Sequence, residues 1–344
     1  MQNNLFNYAT SELSQDAFIS WLASFALEGS PDPVLRECAT QLLIMFVPEL
    51  KTDTFSLESI ENQVKLSEKN RLDVLLTIRC NNKILKVIVE DKTHTSEGDN
   101  QLARYTTQAH ENYPGCDIRG VYYKTGFQSD LSPAIKAGYT IITRAQMLSF
   151  MKPFVSRVSN RIFLDYYEYW NAFQKETEKY SELPTSKWNW KQINGFYDHL
   201  KTSKFFEKQG LWMGYGYVAN QTGGFEGLWA YFDDCSFKFN DTTFELYLQM
   251  EIKDHTFAQL CLKLGATQDN VPAEVLRACK NQLSYDTDWN YKLNQYNFKK
   301  PKRLATGRHM TIGIYDADLK DYSTIKDILE SAIQDYSQII NALR

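Results

Sequence analysis

No run of apolar residues in this chain of 344 is long enough to cross a bilayer, which excludes a transmembrane helix. The N-terminal M-Q-N-N-L-F-N lacks a basic segment followed by an apolar one, so no signal peptide is expected. No C-x-x-C pair occurs among Cys38, Cys80, Cys116, Cys235, Cys261 and Cys279. Their scatter predicts free thiols in a reducing cytoplasm rather than a disulfide frame or a cysteine zinc site. There is no internal repeat and no low-complexity tract. Positive charge is not in excess either: the net charge is −4. Any contact with nucleic acid therefore needs a local basic patch. What the chain does have is a 43% apolar and 14% aromatic composition, enough for a sizeable core, and a length that suits two domains.

The stretch around which the chain is organised is K-I-L-K-V-I-V-E-D-K, residues 83–92. Ile84, Leu85, Val87, Ile88 and Val89 are apolar on both strand faces, as in a buried strand. The strand ends in charge. Side chains alternate, so Glu90 and Lys92 point one way and Asp91 the other. Upstream, residues 71–79 alternate as a second strand, and Asn81-Asn82 reads as a tight turn that makes the two an antiparallel hairpin. Asp73, near the start of one strand, then approaches Glu90, near the end of the other. Two carboxylates and a lysine at one end of a sheet suit a hard divalent cation such as Mg²⁺, with room for phosphate. Lys92 can position or deprotonate an attacking water and offset phosphate charge.

Around this hairpin, helices are expected over 14–28 and 33–46, and a first strand within 55–66. The polar loop T-H-T-S-E-G-D-N precedes a helix running to about residue 110, with Gln101 and Tyr105 one turn apart on one face. Strands at 117–123 and 140–143 and helices at 144–154 and 161–180 complete the order α-α-β-β-β-α-β-β-α-α. S-E-L-P-T-S, residues 181–186, reads as a linker. The second half is aromatic-rich, with strands expected at 228–232, 237–239 and 243–252 and helices at 272–283 and 322–343. Domains are thus expected at 1–180 and 187–344: an α/β core with a mixed sheet flanked by helices, then an α+β domain.

The segments R-L-D-V-L-L, I-V-E-D-K and Q-L-A-R-Y, with E-L-S-Q-D-A-F-I-S-W-L ahead of them, resemble the PD-(D/E)XK nuclease superfamily over roughly residues 5–155. The resemblance implies a restriction-endonuclease-like core. It implies Asp73 and Glu90 as metal ligands, Lys92 as the catalytic lysine, and Gln101 and Tyr105 as helix residues turned toward the site. Glu12 matches a first-helix acid that completes metal binding, with Asp16 the fallback. The proline that usually precedes the aspartate is absent, Leu72 standing there.

Plainer readings stand beside these. Asp73 can pair with Arg71 or Arg79, Glu90 with Lys92 as a strand-end ion pair, and Glu12 or Asp16 can simply complement a helix dipole. His94 reads as a loop residue, and Asp91 as structural, facing away from the site. Glu251-Ile252-Lys253 repeats the E-x-K spacing, but alternation puts Glu251 and Lys253 on a polar face that reads as solvated. L-W-M-G-Y-G-Y, residues 211–217, reads as a core strand. The run Lys299, Lys300, Lys302 and Arg303, followed by Arg308, is the densest basic stretch. It reads as a grip on nucleic-acid phosphates, with Tyr296 and Phe298 near enough to stack on bases, or as a solvated loop.

These readings add up to an expected cytoplasmic nuclease dependent on Mg²⁺, with Mn²⁺ able to substitute. It would act on DNA, in restriction or anti-phage defence. The alternative is an inactive nuclease fold kept for binding DNA or protein. A homodimer suits an enzyme that cuts two strands, and the C-terminal domain suits a partner protein or ligand.

Overall fold

A computed structural model of the protein describes residues 3–9, 11–220, 223–285, 293–302 and 305–343. Local chemistry sets the first elements. Helix α1 (Glu12–Ser24) buries Phe18, Ile19 and Leu22. Helix α2 (Pro33–Phe46) starts where the Asp32 carboxylate accepts from the Val34 and Leu35 N–H groups at 3.0 and 2.9 Å, with Pro33 in its first turn. Strands β1 (Phe55–Lys65), β2 (Arg71–Cys80) and β3 (Lys83–Lys92) pair antiparallel in sequence order. Asn81 turns the β2–β3 hairpin at φ 52°.

Parallel pairing needs crossovers, and helices supply them. Helix α3 (Gln101–Asn112) leads to β4 (Asp117–Lys124), and the short α4 (Ser132–Lys136), not foreseen from sequence, leads to β5 (Tyr139–Thr143). Helices α5 (Arg144–Met151) and α6 (Arg161–Glu178) follow. The sheet runs β1-β2-β3-β4-β5, with β3, β4 and β5 parallel. On one face Val74, Val87, Val89 and Val121 pack with Phe18, Leu42 and Phe163. On the other Leu75, Ile88 and Tyr122 meet Leu102, Tyr105 and Ala109 of α3. Covering both faces explains the apolar run of β3, where each fully buried aliphatic side chain contributes about 1.5–3 kcal/mol.

This topology brings the start of β2 and the ends of β3 and β4 to one edge of the sheet. α1 is docked beside that edge. Phe18 stacks on Tyr166 with ring centroids 3.5 Å apart, and Gln15 accepts from the Tyr166 hydroxyl at 2.7 Å and the Trp170 indole at 3.2 Å.

The chain divides into residues 1–175 and 176–344. Around the expected linker lie two single 3-10 turns, Lys179–Ser181 and Thr185–Lys187. The second unit has α7 (Trp190–Thr202), β6 (Leu211–Val218), β7 (Phe225–Phe232), β8 (Ser236–Phe239), β9 (Thr242–Lys253) and β10 (Phe257–Ala266). Helix α8 (Ala273–Tyr285), β11 (Phe298–Lys299), β12 (His309–Tyr315) and α9 (Tyr322–Leu343) complete it. Its antiparallel sheet runs β11-β12-β10-β9-β7-β6, with β8 against β9. Sequence reading did not foresee α7, β10 or β12. It placed Glu251 on the correct face of β9 but took that face as solvated. Glu251 is in fact 7% exposed, because β10 brings Lys263 and Gln259 against it and Gln249 of its own strand donates to it. Lys253, at the strand end, is half-buried.

Candidate active site

Val74 pairs with Val89, so Asp73 and Glu90 are the next residues along the hairpin. Lys92 joins them. Its ammonium lies 2.6 Å from Glu90 Oε1 and 3.8 Å from Asp73 Oδ2, and it also donates to the Asp91 carbonyl at 3.1 Å. Asp73 Oδ2 accepts the Asp91 backbone N–H at 3.2 Å. From α3, the Gln101 amide donates to Glu90 Oε1 at 2.7 Å and to the Tyr105 hydroxyl at 2.9 Å. Asp73, Glu90, Lys92, Gln101 and Tyr105 therefore form one connected group. A cavity of about 560 Å³ opens beside it, lined by Gly98, Asn100, Gln101 and Lys136.

The first-helix acids divide differently from the reading that put Glu12 first. Glu12 accepts from the Thr93 N–H at 2.9 Å and the Thr95 hydroxyl at 3.1 Å, so it fastens the loop that follows Lys92. Asp16 instead groups with Asp73 and Asp91, one carboxylate oxygen of each lying within 4.8 Å of the others. Asp91, read from sequence as structural, thus belongs to the acidic cluster. Alternation does send it to the face opposite Glu90, but at the strand end α1 covers that face and brings Asp16 to meet it.

Two further residues escaped sequence reading. Gln63 lies in β1 with a left-handed φ of 53° and donates to Asp16 Oδ2 at 3.1 Å. Nothing in its sequence context signals this. Lys124, which ends β4 level with Lys92 in the parallel ladder, donates to the Thr93 carbonyl at 3.2 Å and to the Thr95 carbonyl. A lysine closing the strand beside E-D-K was the available signal. His94 is exposed in the loop.

The electrostatics are one-sided. Glu90 and Asp91 are each 1% exposed and Asp16 4%. Burial, then the charge of Asp73, pushes Glu90 up to about 8. Burial and Asp16 push Asp91 up to about 11. Burial, then Asp16, raises Asp73. Burial works against the Lys92 ammonium, but Glu90 and Asp73 more than offset it, so its pKa lies above the usual lysine value. Burial lowers Lys124 to about 8. Around this site, among the described residues, four buried carboxylate oxygens have no hydrogen-bond donor: Asp16 Oδ1, Glu90 Oε2 and both of Asp91. Unpartnered buried acceptors are costly. The oxygens that Asp16, Asp73 and Asp91 bring within 4.8 Å of one another are hard donors that fit a divalent cation, which would neutralise their excess charge.

In the basic run, Lys299 ends β11 paired with Asp316, and Lys302 is exposed. Arg303 lies outside the described residues. Arg308 is held by Asp269 and by the Ala266 carbonyl. No helix among the described residues is long and apolar enough to cross a membrane.

No curated protein sequence and no solved structure matches the chain. The family model described as the PD-(D/E)XK nuclease superfamily matches residues 6–181, more than half of the chain and all of the five-stranded sheet with its acidic edge. The chain belongs to the PD-(D/E)XK nuclease superfamily.

Proposed function

We propose that the protein is a Mg²⁺-dependent nuclease that hydrolyses phosphodiester bonds of DNA at the edge formed by β2, β3 and α1. The observation that carries this reading is the acidic group of Asp16, Asp73 and Asp91, with Asp73 Oδ2 3.8 Å from the Lys92 ammonium. Asp73 and Asp91, with Asp16, are the residues suited to hold the cation, and Glu90 lies beside Asp73 in the hairpin. A bound cation supplies Lewis-acid activation of water and charge neutralisation at the phosphate. Lys92, held protonated by its carboxylate neighbours, donates hydrogen bonds to the reacting phosphate or orients the water. Gln101 fixes Glu90, and Glu12 with Lys124 holds the loop after Lys92. DNA as the substrate, and a role in restriction or anti-phage defence, rest on the family alone. The basic run at Lys299, Lys300, Lys302 and Arg303 is proposed to add phosphate contacts.

The test is incubation of purified protein with plasmid, linear and single-stranded DNA in Mg²⁺, Mn²⁺ or EDTA, beside Lys92→Ala and Asp73→Asn. Cleavage with either metal, and none in EDTA or by the variants, is expected. A protein that binds DNA but cuts nothing under any condition would instead be a binding module on a nuclease fold.

A further inference from the structure

The sheet of the second unit carries a cavity of about 600 Å³, within the range of about 300–1,000 Å³ typical of small-molecule sites. Its polar lining is ordered. Glu251 Oε1 accepts from Lys263 at 3.1 Å and from the Gln249 amide at 2.9 Å, and Gln259 donates to Oε2 at 2.7 Å. Lys263 also donates to the Thr311 hydroxyl at 2.9 Å. Glu251, Lys263 and Gln249 are all buried. Aromatic side chains stand around them. Trp229 faces Gln249 across the β7–β9 ladder, and Tyr231 stacks on Tyr247 at 4.7 Å and 21°. The Tyr247 hydroxyl meets His309 Nδ1 at 3.0 Å. All these residues belong to the second unit.

The chemistry narrows the occupant. Glu251 and Lys263 neutralise each other, and burial and Arg308 lower the His309 pKa, which favours its neutral form. Among the described residues the lining offers no unbalanced charge for an isolated anion or cation. Its aromatic walls favour a flat, unsaturated ring. The orientation of the Gln249 carboxamide is fixed, because only its NH₂ can face the Glu251 carboxylate. Its carbonyl oxygen has no partner among the described residues, and its second N–H remains. The side chain thus keeps one donor and one acceptor free, the two groups that glutamine uses on base edges. We propose that this cavity binds a nucleobase, stacked on Trp229 or the Tyr231–Tyr247 pair and read at its edge by Gln249. The base is carried either by a free nucleotide or by an unpaired nucleotide of a strand.

The full chain in EDTA is titrated with AMP, GMP, CMP and TMP, with a short single-stranded oligonucleotide, and with ribose 5-phosphate, which has no base. Binding is followed by tryptophan fluorescence and calorimetry. Saturable binding of a mononucleotide or of the oligonucleotide, but not of ribose 5-phosphate, is expected. Gln249→Leu and Trp229→Ala should each weaken it about tenfold or more, and Trp229→Phe should keep most of it. Thermal melting identifies any variant that has lost its fold, and Gln249→Leu, close in shape to the original, is the decisive one. Mononucleotide binding assigns a free nucleotide as the source, and binding of the oligonucleotide alone assigns a strand. No saturable binding of any base, or unchanged affinity in a folded Gln249→Leu, would overturn the proposal. Neither result bears on the reaction proposed for the first unit.

Discussion

Gln63 of β1 donates a 3.1 Å hydrogen bond to Asp16 of α1, from a left-handed backbone position that glutamine seldom adopts. The bond ties the edge of the sheet to the helix that brings Asp16 to Asp73 and Asp91. Non-glycine residues in this conformation are tolerated where surrounding structure holds them, often at functional sites. Substitution can separate the two roles. Gln63→Ala and Gln63→Gly should both lower Mn²⁺ affinity about tenfold, as expected when a partner that orients a ligand is lost. Gln63→Gly should be the more stable of the two, by about 1 kcal/mol, because glycine accepts the positive φ. Calorimetric titration and urea unfolding check this. Equal stability would mean that the backbone strain is negligible, and unchanged affinity would remove Gln63 from the site.

The acidic cluster sets a pH dependence. Asp73, Glu90 and Asp91 have pKa values raised above those of ordinary carboxyl groups, chiefly by burial. The folded state therefore holds protons that the unfolded state has already released. Stability contributed by such groups is full below the unfolded value of about 4 and is lost as pH rises toward the folded value. For Glu90 the loss extends up to about 8. In EDTA the melting temperature should fall between about pH 5 and about pH 8. Glu90→Gln should flatten the fall. Mg²⁺ should oppose it increasingly as pH rises, since cation and protons compete for the same oxygens. Melting curves across that range decide the matter, and a melting temperature that rose with pH in EDTA would contradict the assigned environment.

Charge and ligation separate at Lys92 and Asp73. Lys92→Ala should reduce cleavage about 10²-fold or more by removing a donor aimed at the reacting group. Metal affinity should be kept or increased, because the competing ammonium is gone. Asp73→Ala should lose both cleavage and metal. Cleavage assays with parallel metal titrations distinguish the two, and full activity in Lys92→Ala would rule out its role.

Gly126 lies against the segment that follows Lys92. A Cβ there would overlap the Thr93 carbonyl backbone. Gly126→Ala must push Thr93 away, and Thr93 is the residue whose N–H holds Glu12 and whose carbonyl receives Lys124. A stability loss of about 1–3 kcal/mol is expected, with a larger proportional loss of cleavage than of DNA binding. Urea unfolding and paired binding and cleavage assays measure both.

Much of the first unit was legible because its signals are local. Pro33 and Phe46 bound α2 as expected, through the Asp32 cap at one end and Pro48 beyond the other. Asn81 marked the hairpin, and the hairpin brought Asp73 to Glu90. What alternation could not supply is what covers a face. It sent Asp91 away from Glu90 correctly, but could not say that Asp16 would be waiting there. It likewise put Glu251 on the polar face of β9, but could not say that β10 and β7 would enclose it with Lys263 and Trp229. The helix α7 carried a readable signal in its capping box, Asn189 with Gln192, obscured by its aromatic content.

The basic run offers a comparison between two of its lysines. Lys299 is already paired with Asp316, whereas exposed Lys302 has no carboxylate partner among the described residues. A lysine that must leave an internal partner to reach a phosphate contributes less net binding than one that exchanges only counterions. Each full phosphate contact on duplex DNA adds about −0.9 to the slope of log affinity against log salt. If the run binds DNA, Lys302→Ser should flatten that slope by about 0.9, and Lys299→Ser should flatten it by less. Affinity measured in EDTA over a salt series, so that the DNA stays intact, gives both slopes. Slopes unchanged in both variants would make the run a solvated loop and remove it from the substrate path.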